Sequence, residues 1–248
     1  MRVDGLAVTL RPRSQGEACD LGAALVRQHA GSIWRCFGPV YAVVAVLALC
    51  TVDAVGWLPM LIVFWLKPWL DRTLLFVLSR AVFGEATRWR DLWRARRHVW
   101  GGQLLRTLLW RRFSPWRAYT QAIEQLEAQR GSERRRRRRL LLNGNRGAAT
   151  ALQTAFTHAE AALCYGAILL LWWFAPASSN ADVWDWFFHP GAHAAGQLGL
   201  DLVVALSYMA VVLFLEPFYV AAGFAMYLNR RVALEAWDIE QEFRHAFA

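Results

Sequence analysis

The sequence has almost no lysine and no recognisable cysteine pattern. Of its 28 basic residues, 27 are arginines and one is a lysine, Lys67. The four cysteines have no paired spacing, and three of them fall in or beside apolar runs. We therefore expect neither a disulfide framework nor a zinc site, and we interpret the cysteines as small buried hydrophobic residues.

Short motifs of the common enzyme families are also absent. The sequence contains no H-E-x-x-H, G-x-S-x-G, Walker loop or G-x-G-x-x-G. His189 and His193 are four residues apart, but Pro190 and Gly191 between them argue against the helix on which both could bind one metal. The sequence therefore predicts a non-enzymatic protein with no catalytic residue, no metal and no cofactor.

Composition and the apolar runs predict a membrane protein. The chain is 56% apolar and 14% aromatic, which is more hydrophobic than an ordinary soluble domain. The first long apolar run begins only near Phe37, too far from Met1 for a secretory signal peptide. We therefore expect this run to stay in the protein as an uncleaved membrane anchor.

Four such runs predict four membrane-spanning helices, at about 37–55, 58–81, after Ala148, and 202–228. The last run would reach about 40 Å as a helix, more than the roughly 30 Å hydrocarbon core of a bilayer. The predicted fold is thus all-α, an integral membrane helical bundle of about four transmembrane helices plus amphipathic interfacial helices. It forms one domain over 1–248, in five stretches: an N-terminal amphipathic helix (1–36), a first helical hairpin (37–83), a basic cytoplasmic or interfacial region (84–147), a second hairpin (148–231) and a cytoplasmic tail (232–248).

The distribution of arginine predicts the orientation of the chain. Seventeen arginines lie between Gly84 and Arg146, and the positive-inside rule places such a segment in the cytoplasm. The loop 177–197 has no lysine or arginine and is expected on the periplasmic side. Both termini are then cytoplasmic, in a bacterial inner membrane. The run of six arginines at 134–139 is interpreted as a solvated loop that helps to set this topology.

The N-terminal segment has the pattern of an amphipathic helix. Ser14 and Glu17 have capping-box spacing, and apolar residues recur every three or four positions from Ala18 to Ile33. We expect this helix to lie along the cytoplasmic membrane surface. The alternative is a soluble helix packed on the rest of the cytoplasmic face.

Between 84 and 116, tryptophans alternate with arginines. This composition is typical of helices at the headgroup level of a membrane, where the rings face acyl chains and the guanidinium groups face phosphate. Nucleic-acid surfaces share the composition, but an adjacent anionic membrane already explains it, so we expect no nucleic acid as a partner. The candidate headgroup-binding residues are Arg88, Arg90, Arg94, Arg96, Arg97, Arg111 and Arg112.

Two of the predicted spans each carry a charged residue, Lys67 or Glu216, immediately before a proline. Both residues lie at about the same distance from the basic end of their helix. Because a bilayer disfavours either charge alone, we predict an ion pair between them. The alternative pairs Lys67 with Asp71, one turn along the same helix, and Glu216 with Arg72. These four residues would have either an architectural role or a role in an ion or substrate pathway.

Two stretches carry a resemblance to a known family. The residues GEACDLGAALVRQHAGSIW (16–34) and EPFYVAAGFAMYLNRRVALEAWDIE (216–240) are similar to a loose group of bacterial inner-membrane proteins. This group includes the membrane domain attached to some glycerophosphoryl diester phosphodiesterases and related stand-alone proteins whose function is unknown. The resemblance implies an all-helical integral membrane domain. It carries over no catalytic residue, since the phosphodiesterase active site lies in a separate domain.

These patterns lead to two functional hypotheses. The first is a scaffold or subunit of an envelope complex whose basic face binds anionic membrane lipids and whose partners are other membrane-protein subunits or further copies of itself. The small residues Ala221, Gly223 and Ala225 are typical of such close packing. The second is a small transporter or channel component that uses Glu216 and Lys67. A polar cavity reaching Glu216 would favour transport, and a dry, tightly packed pair would favour the scaffold.

Overall fold

A computed structural model describes residues 13–101, 114–174 and 198–235. These residues form nine α-helices and contain no strand, so the predicted all-α class is confirmed. The predicted loop 177–197, with His189 and His193, lies outside the described residues, as does the tail from 236 onward. In chain order the helices are α1 (Gln15–Gln28), α2 (Ala30–Leu49), α3 (Leu58–Ala81), α4 (Trp89–Arg94), α5 (Arg96–Trp100), α6 (Arg117–Gln125), α7 (Gly131–Leu142), α8 (Arg146–Trp173) and α9 (Leu198–Glu235).

Helix α1 begins where the sequence predicts but ends earlier. Ser14 Oγ accepts a hydrogen bond from Glu17 N at 3.3 Å, and Glu17 Oε2 accepts one from Ser14 N at 3.0 Å, which is the predicted capping box. The prediction of one helix through Ile33 is wrong, because His29 leaves helical geometry at φ −111° and ψ 21°. Helix α2 begins directly after this break, before the predicted start of the first span near Phe37.

Four long helices share one end of the bundle. Helices α2 and α8 end there, and α3 and α9 begin there. Near this end Met60, Ile168 and Val204 pack together from α3, α8 and α9. Helix α2 is tied to α9 by Tyr41, whose Oη donates a hydrogen bond to the carbonyl oxygen of Met209 at 2.7 Å. The four helices are therefore aligned along a common direction.

The exposed large hydrophobic side chains of these four helices form a surface next to the shared end, which we call the apolar band. On α9 the band runs from Leu198 to Phe214, about 24 Å at helical rise, which is close to the roughly 30 Å hydrocarbon core of a bilayer. Among the described residues of these helices, Leu234 is the one exposed large hydrophobic residue outside it. Its members are Val43, Val46 and Leu47 on α2, Leu61 and Phe64 on α3, Leu163, Tyr165 and residues 169–173 on α8 with Phe174 directly after it, and Leu198, Val203, Leu206 and Phe214 on α9.

Three of the described helices, α2, α8 and α9, are long and apolar enough to cross a membrane. Helix α3 has 24 residues, a length of about 36 Å at helical rise. It also carries Lys67, Asp71, Arg72 and Arg80, which make it more polar than the other three. The first three of these charges are buried, so protein covers the charged half of α3.

Helix α1 packs on the second half of α9. Its apolar face, with Ala18, Leu25 and Val26, is buried in the bundle. Gly22 lies so close to α9 that an added Cβ would be 2.6 Å from the carbonyl oxygen of Ala221. The apolar face of α1 is thus covered by protein, as in the alternative of a helix packed on the rest of the chain, because α9 offers small residues against which α1 packs. The position of α1 relative to a membrane stays a prediction.

Helix α6 lies inside the bundle, against α3 and α9. Seven of its nine residues are buried. Gly223 of α9 lies against Ala118 of α6, where an added Cβ would collide. Tyr119 Oη donates to the carbonyl oxygen of Leu141 at 3.0 Å, and burial raises the pKa of Tyr119 to about 12. The stretch 84–147 thus contributes a core helix, and its cytoplasmic or interfacial position stays a prediction.

Helix α7 contains the run of six arginines, so the loop predicted there is wrong. Arg134 binds Glu124, and Arg137 Nε donates to Glu127 Oε2 at 2.8 Å, which ties α7 to the end of α6. Burial lowers the pKa of Arg137, but hydrogen bonds to Glu127 and Glu235 outweigh this effect and raise that pKa. Acidic partners therefore hold Arg134 and Arg137 against the protein, whereas Arg135, Arg136 and Arg139 are exposed.

Candidate functional site

Five ionisable side chains from four helices meet in the interior, and we call them the charge cluster. Lys67 and Asp71 come from α3, Arg117 from α6, Glu160 from α8 and Glu216 from α9. All except Glu160 are at most 5% exposed, and the side chain of Glu160 is 20% exposed. Charges buried to this degree are seldom found unless they are paired.

Each cation of the charge cluster bridges two carboxylates. Lys67 Nζ lies 2.8 Å from Glu216 Oε2 and 2.5 Å from Glu160 Oε2. Arg117 Nη2 lies 2.8 Å from Glu216 Oε1, and its Nε lies 3.1 Å from Asp71 Oδ2. Glu216 is thus shared by both cations. Because solvent screens such pairs little, each member depends on the others for compensation of its charge.

The structure brings together three of the four intramembrane residues that the sequence singles out. Lys67 contacts Glu216, and Asp71 lies in the same cluster. Arg72 lies elsewhere, and its Nη2 donates to the carbonyl oxygen of His98 at 3.3 Å. The alternative pairing of Glu216 with Arg72 is not found, because two other cations contact both carboxylate oxygens.

Arg117 and Glu160 are the members of the cluster that sequence reasoning missed. The sequence contains one signal for the former, since Arg117, Gln121 and Gln125 recur every four residues and share one helix face. The two glutamine side chains donate to carbonyl oxygens of α3, at 3.3 and 2.7 Å. This polar stripe therefore marks α6 as a helix that packs inside the bundle. We find no comparable signal for Glu160.

The charge cluster contains three carboxylates and two cations. With all five groups ionised its charge is two minus three, or −1. An uncompensated charge inside a protein is destabilising. Loss of a carboxylate should therefore destabilise the cluster less than loss of a cation.

A crevice beside the charge cluster leaves about 10 Å³ of free space, room for about one water molecule. Its lining includes Gln153, Thr157 and Glu160 of α8 and Tyr219 of α9. Tyr219 Oη donates a hydrogen bond to Gln153 Oε1 across this space. The crevice is therefore too narrow for a solute much larger than water.

The charge cluster lies at the inner edge of the apolar band, the edge away from the shared helix end. Glu216 follows Phe214, the last exposed hydrophobic residue of the band on α9, and Glu160 precedes Leu163, the first on α8. Beyond Glu216, residues 219–227 of α9 are all buried. The sequence places Glu216 near the middle of a span, whereas the structure places it where the exposed hydrophobic surface ends.

A row of four tryptophans adjoins the same edge, and we call it the tryptophan row. Trp69 lies two residues beyond Lys67 on α3, and its ring centre is 5.9 Å from that of Trp100. The Trp100 and Trp93 rings are 6.4 Å apart, and the Trp93 and Trp89 rings are 6.3 Å apart. Tryptophan is enriched at the headgroup level of membranes, so this row is well placed to meet a bilayer surface.

Five of the seven candidate headgroup-binding arginines are exposed beside this row. The guanidinium carbon of Arg96 lies 4.7 Å from the ring centre of Trp93, which is cation–π distance. Arg111 and Arg112 lie outside the described residues. We call the five exposed residues the arginine face: Arg88, Arg90, Arg94, Arg96 and Arg97.

Comparisons with protein families, with curated proteins and with solved structures found no match for this chain. The resemblance to the phosphodiesterase-linked membrane domain therefore stays a prediction. The charge cluster, the apolar band and the arginine face are the features on which a functional proposal can rest.

Proposed function

We propose that the protein is a non-enzymatic membrane scaffold, or a subunit of an envelope complex, whose arginine face binds anionic lipid headgroups. One observation carries the proposal: the edge of the apolar band, the tryptophan row and the arginine face adjoin one another. The hydrocarbon core of a membrane favours apolar side chains, its interface favours tryptophan, and the phosphate groups favour arginine. An anionic bilayer therefore complements the whole arrangement.

In the proposed topology α3 is a fourth crossing, beside α2, α8 and α9. The charged half of α3 is compatible with a membrane crossing, because lipid would contact only the first turns of the helix, where Leu61 and Phe64 are exposed. The shared helix end then faces the periplasm, and the arginine-rich helices and both termini lie on the cytoplasmic side of a bacterial inner membrane.

The narrow crevice favours a scaffold over the alternative of a transporter or channel component. A pathway through Glu216 and Lys67 would need a polar cavity that reaches them, and the space beside them has room for about one water. Both side chains are also fixed by two partners each. We therefore assign the charge cluster an architectural role, in which it holds four helices together.

Lipid selectivity tests the headgroup-binding part of the proposal. We expect the triple variant Arg90→Gln, Arg94→Gln, Arg96→Gln to lose preference for phosphatidylglycerol over phosphatidylcholine. Each basic residue near an anionic surface contributes about 1 kcal/mol, so the preference should fall by at least tenfold. Native mass spectrometry of the protein in mild detergent, titrated with each lipid, measures the two affinities.

A second triple variant, Arg135→Gln, Arg136→Gln, Arg139→Gln, is the matched control for this experiment. These arginines are exposed on α7 and do not belong to the arginine face, and the change in net charge is the same. Equal losses in both triple variants, or no loss in either, would contradict the proposal.

The scaffold part of the proposal is tested by isolation of the protein in mild detergent, followed by mass spectrometry of bound proteins. We expect membrane-protein partners, or further copies of the chain, that remain after washing. Recovery of the chain alone, as a monomer, would count against a scaffold.

A further inference from the structure

A polar pocket of about 220 Å³ lies beside α5, on a different side of α3 from the crevice at the charge cluster. Three arginines from three separate parts of the chain line it. Arg72 comes from α3, Arg97 from α5, and Arg130 from the residue before α7. We call this space the arginine pocket.

The arginine pocket has an excess of positive charge. Among the residues that the structure describes, its one acidic lining residue is Glu124, and Arg134, which is not among the described lining residues, binds that carboxylate. The described lining therefore carries three guanidinium groups and one carboxylate, and Arg134 pairs with that carboxylate. Guanidinium groups match the geometry of phosphate oxygens and form charge-assisted hydrogen bonds with them.

Buried groups hold part of this lining in place. Arg72 is 8% exposed and its Nη2 donates to the carbonyl oxygen of His98, another lining residue, at 3.3 Å. Gln125 Nε2 donates to the carbonyl oxygen of Arg72 at 2.7 Å. The rim at Ala128 has a φ of +53°, a left-handed conformation that bends the chain between α6 and α7. The Arg72 side of the pocket is thus preformed and needs little ordering to accept an anion.

Size and position narrow the class of ligand. The volume is below the roughly 300–1,000 Å³ of drug-sized ligand sites, so a phosphate with few additional atoms suits it better than a nucleotide. Gly101 lines the pocket and follows Trp100, the residue of the tryptophan row whose Nε1 donates to Thr73 Oγ1 at 3.0 Å. The pocket therefore lies beside the level at which lipid headgroups are expected.

We propose that the arginine pocket binds a single phosphate monoester, with the headgroup of a phosphatidate-type lipid or a free phosphate as its two possible sources. The inference deepens the proposed headgroup binding and rests on it. The arginine face would attract anionic lipid in general, and the pocket would hold one phosphate in a defined position.

Isothermal titration calorimetry of the full chain in a neutral detergent tests the proposal. The probes are a short-chain phosphatidate, inorganic phosphate, and a short-chain phosphatidylcholine as a zwitterionic control. We expect the phosphatidate to bind with a stoichiometry of one and phosphatidylcholine not to bind. Tighter binding of the phosphatidate than of inorganic phosphate identifies a lipid source, and equal binding identifies a free phosphate.

The variant Arg97→Gln, Arg130→Gln removes two exposed arginines of the pocket, and Arg135→Gln, Arg136→Gln on α7 makes the same charge change outside it. We expect the first pair to weaken phosphatidate binding at least about 30-fold and the second to change it less than about threefold. The proposed phosphate site would be contradicted if the unaltered chain showed no saturable binding of phosphatidate. It would also be contradicted if both pairs of substitutions weakened that binding equally. The triple variant at Arg90, Arg94 and Arg96 is measured independently. If it loses its lipid preference while the pocket shows no specific binding, only the proposed phosphate site is rejected and the proposed function is retained.

Discussion

Replacement of Arg117 by methionine is expected to destabilise the folded protein by about 3–5 kcal/mol. Arg117 is the cation that holds Asp71 and one oxygen of Glu216, and it lies over the ring of Tyr219 at 5.1 Å. Its loss takes the charge of the cluster from −1 to −2 when all groups are ionised. Methionine keeps most of the volume of the side chain, so the expected loss reports on charge and hydrogen bonding more than on a cavity.

Thermal unfolding in detergent measures this effect, and three further variants test whether it comes from the charge of the cluster. Arg136→Met removes an exposed arginine of α7 and should leave the midpoint almost unchanged. Asp71→Asn takes the cluster from −1 to 0, so we expect it to cost far less than Arg117→Met. The double variant Arg117→Met, Asp71→Asn should be more stable than Arg117→Met alone, because it restores the original charge.

Two results would contradict this account of the charge cluster. One is a double variant whose loss equals the sum of the two single losses, since the two side chains would then not be coupled. The other is a loss of stability in Asp71→Asn as large as that in Arg117→Met, since the net charge of the cluster would then have no effect on stability.

Gly22→Val is expected to separate α1 from α9 and to lower stability by roughly 1–3 kcal/mol, toward the upper end of that range. An added Cβ at Gly22 would lie 2.6–2.7 Å from three backbone atoms of Ala221 and Ala222. Backbone atoms in a helix cannot rotate away as a side chain can, so the whole of α1 has to move. This movement would partly expose Ala18, Leu25 and Val26. The apolar surface that they lose from the core accounts for the size of the expected loss of stability.

Gly16→Val is the matched control, because Gly16 lies on the same helix with nothing within 4 Å of an added Cβ. Valine has a better helix propensity than glycine, so this variant should be equal in stability to the unaltered chain or slightly better. Limited proteolysis near residues 28–30, together with the unfolding midpoint, distinguishes the two variants. Similar stability of Gly22→Val and Gly16→Val would show that α1 does not pack closely on α9.

Local patterns in the sequence predicted the helices well. The capping box at Ser14 and the long apolar runs both depend on neighbours within a few residues. The same kind of reasoning fails at His29, where a single residue interrupts an otherwise periodic pattern. It also fails for the arginine run in α7, whose helix depends on Glu124 and Glu127, about ten residues earlier.

The charge cluster was predicted only in part, for a related reason. Lys67 and Glu216 stand out because each interrupts an apolar run, so a sequence argument can identify both. Arg117 is one of many arginines in its region, and what distinguishes it is the burial of α6 between other helices. Burial depends on the tertiary arrangement, which propensity and periodicity do not specify. The separation of Arg72 from the cluster, one residue after Asp71, has the same origin.

The separation of the cluster members along the chain has a consequence for biosynthesis. Lys67 leaves the ribosome 93 residues before Glu160, and Arg117 leaves it 99 residues before Glu216. At roughly 5–20 residues per second, translation needs on the order of 5–20 s to supply each missing carboxylate. We therefore expect the nascent chain to keep α6 outside the bundle until α9 has been made. During that interval a chaperone or the insertion machinery would have to shield the half-formed first hairpin.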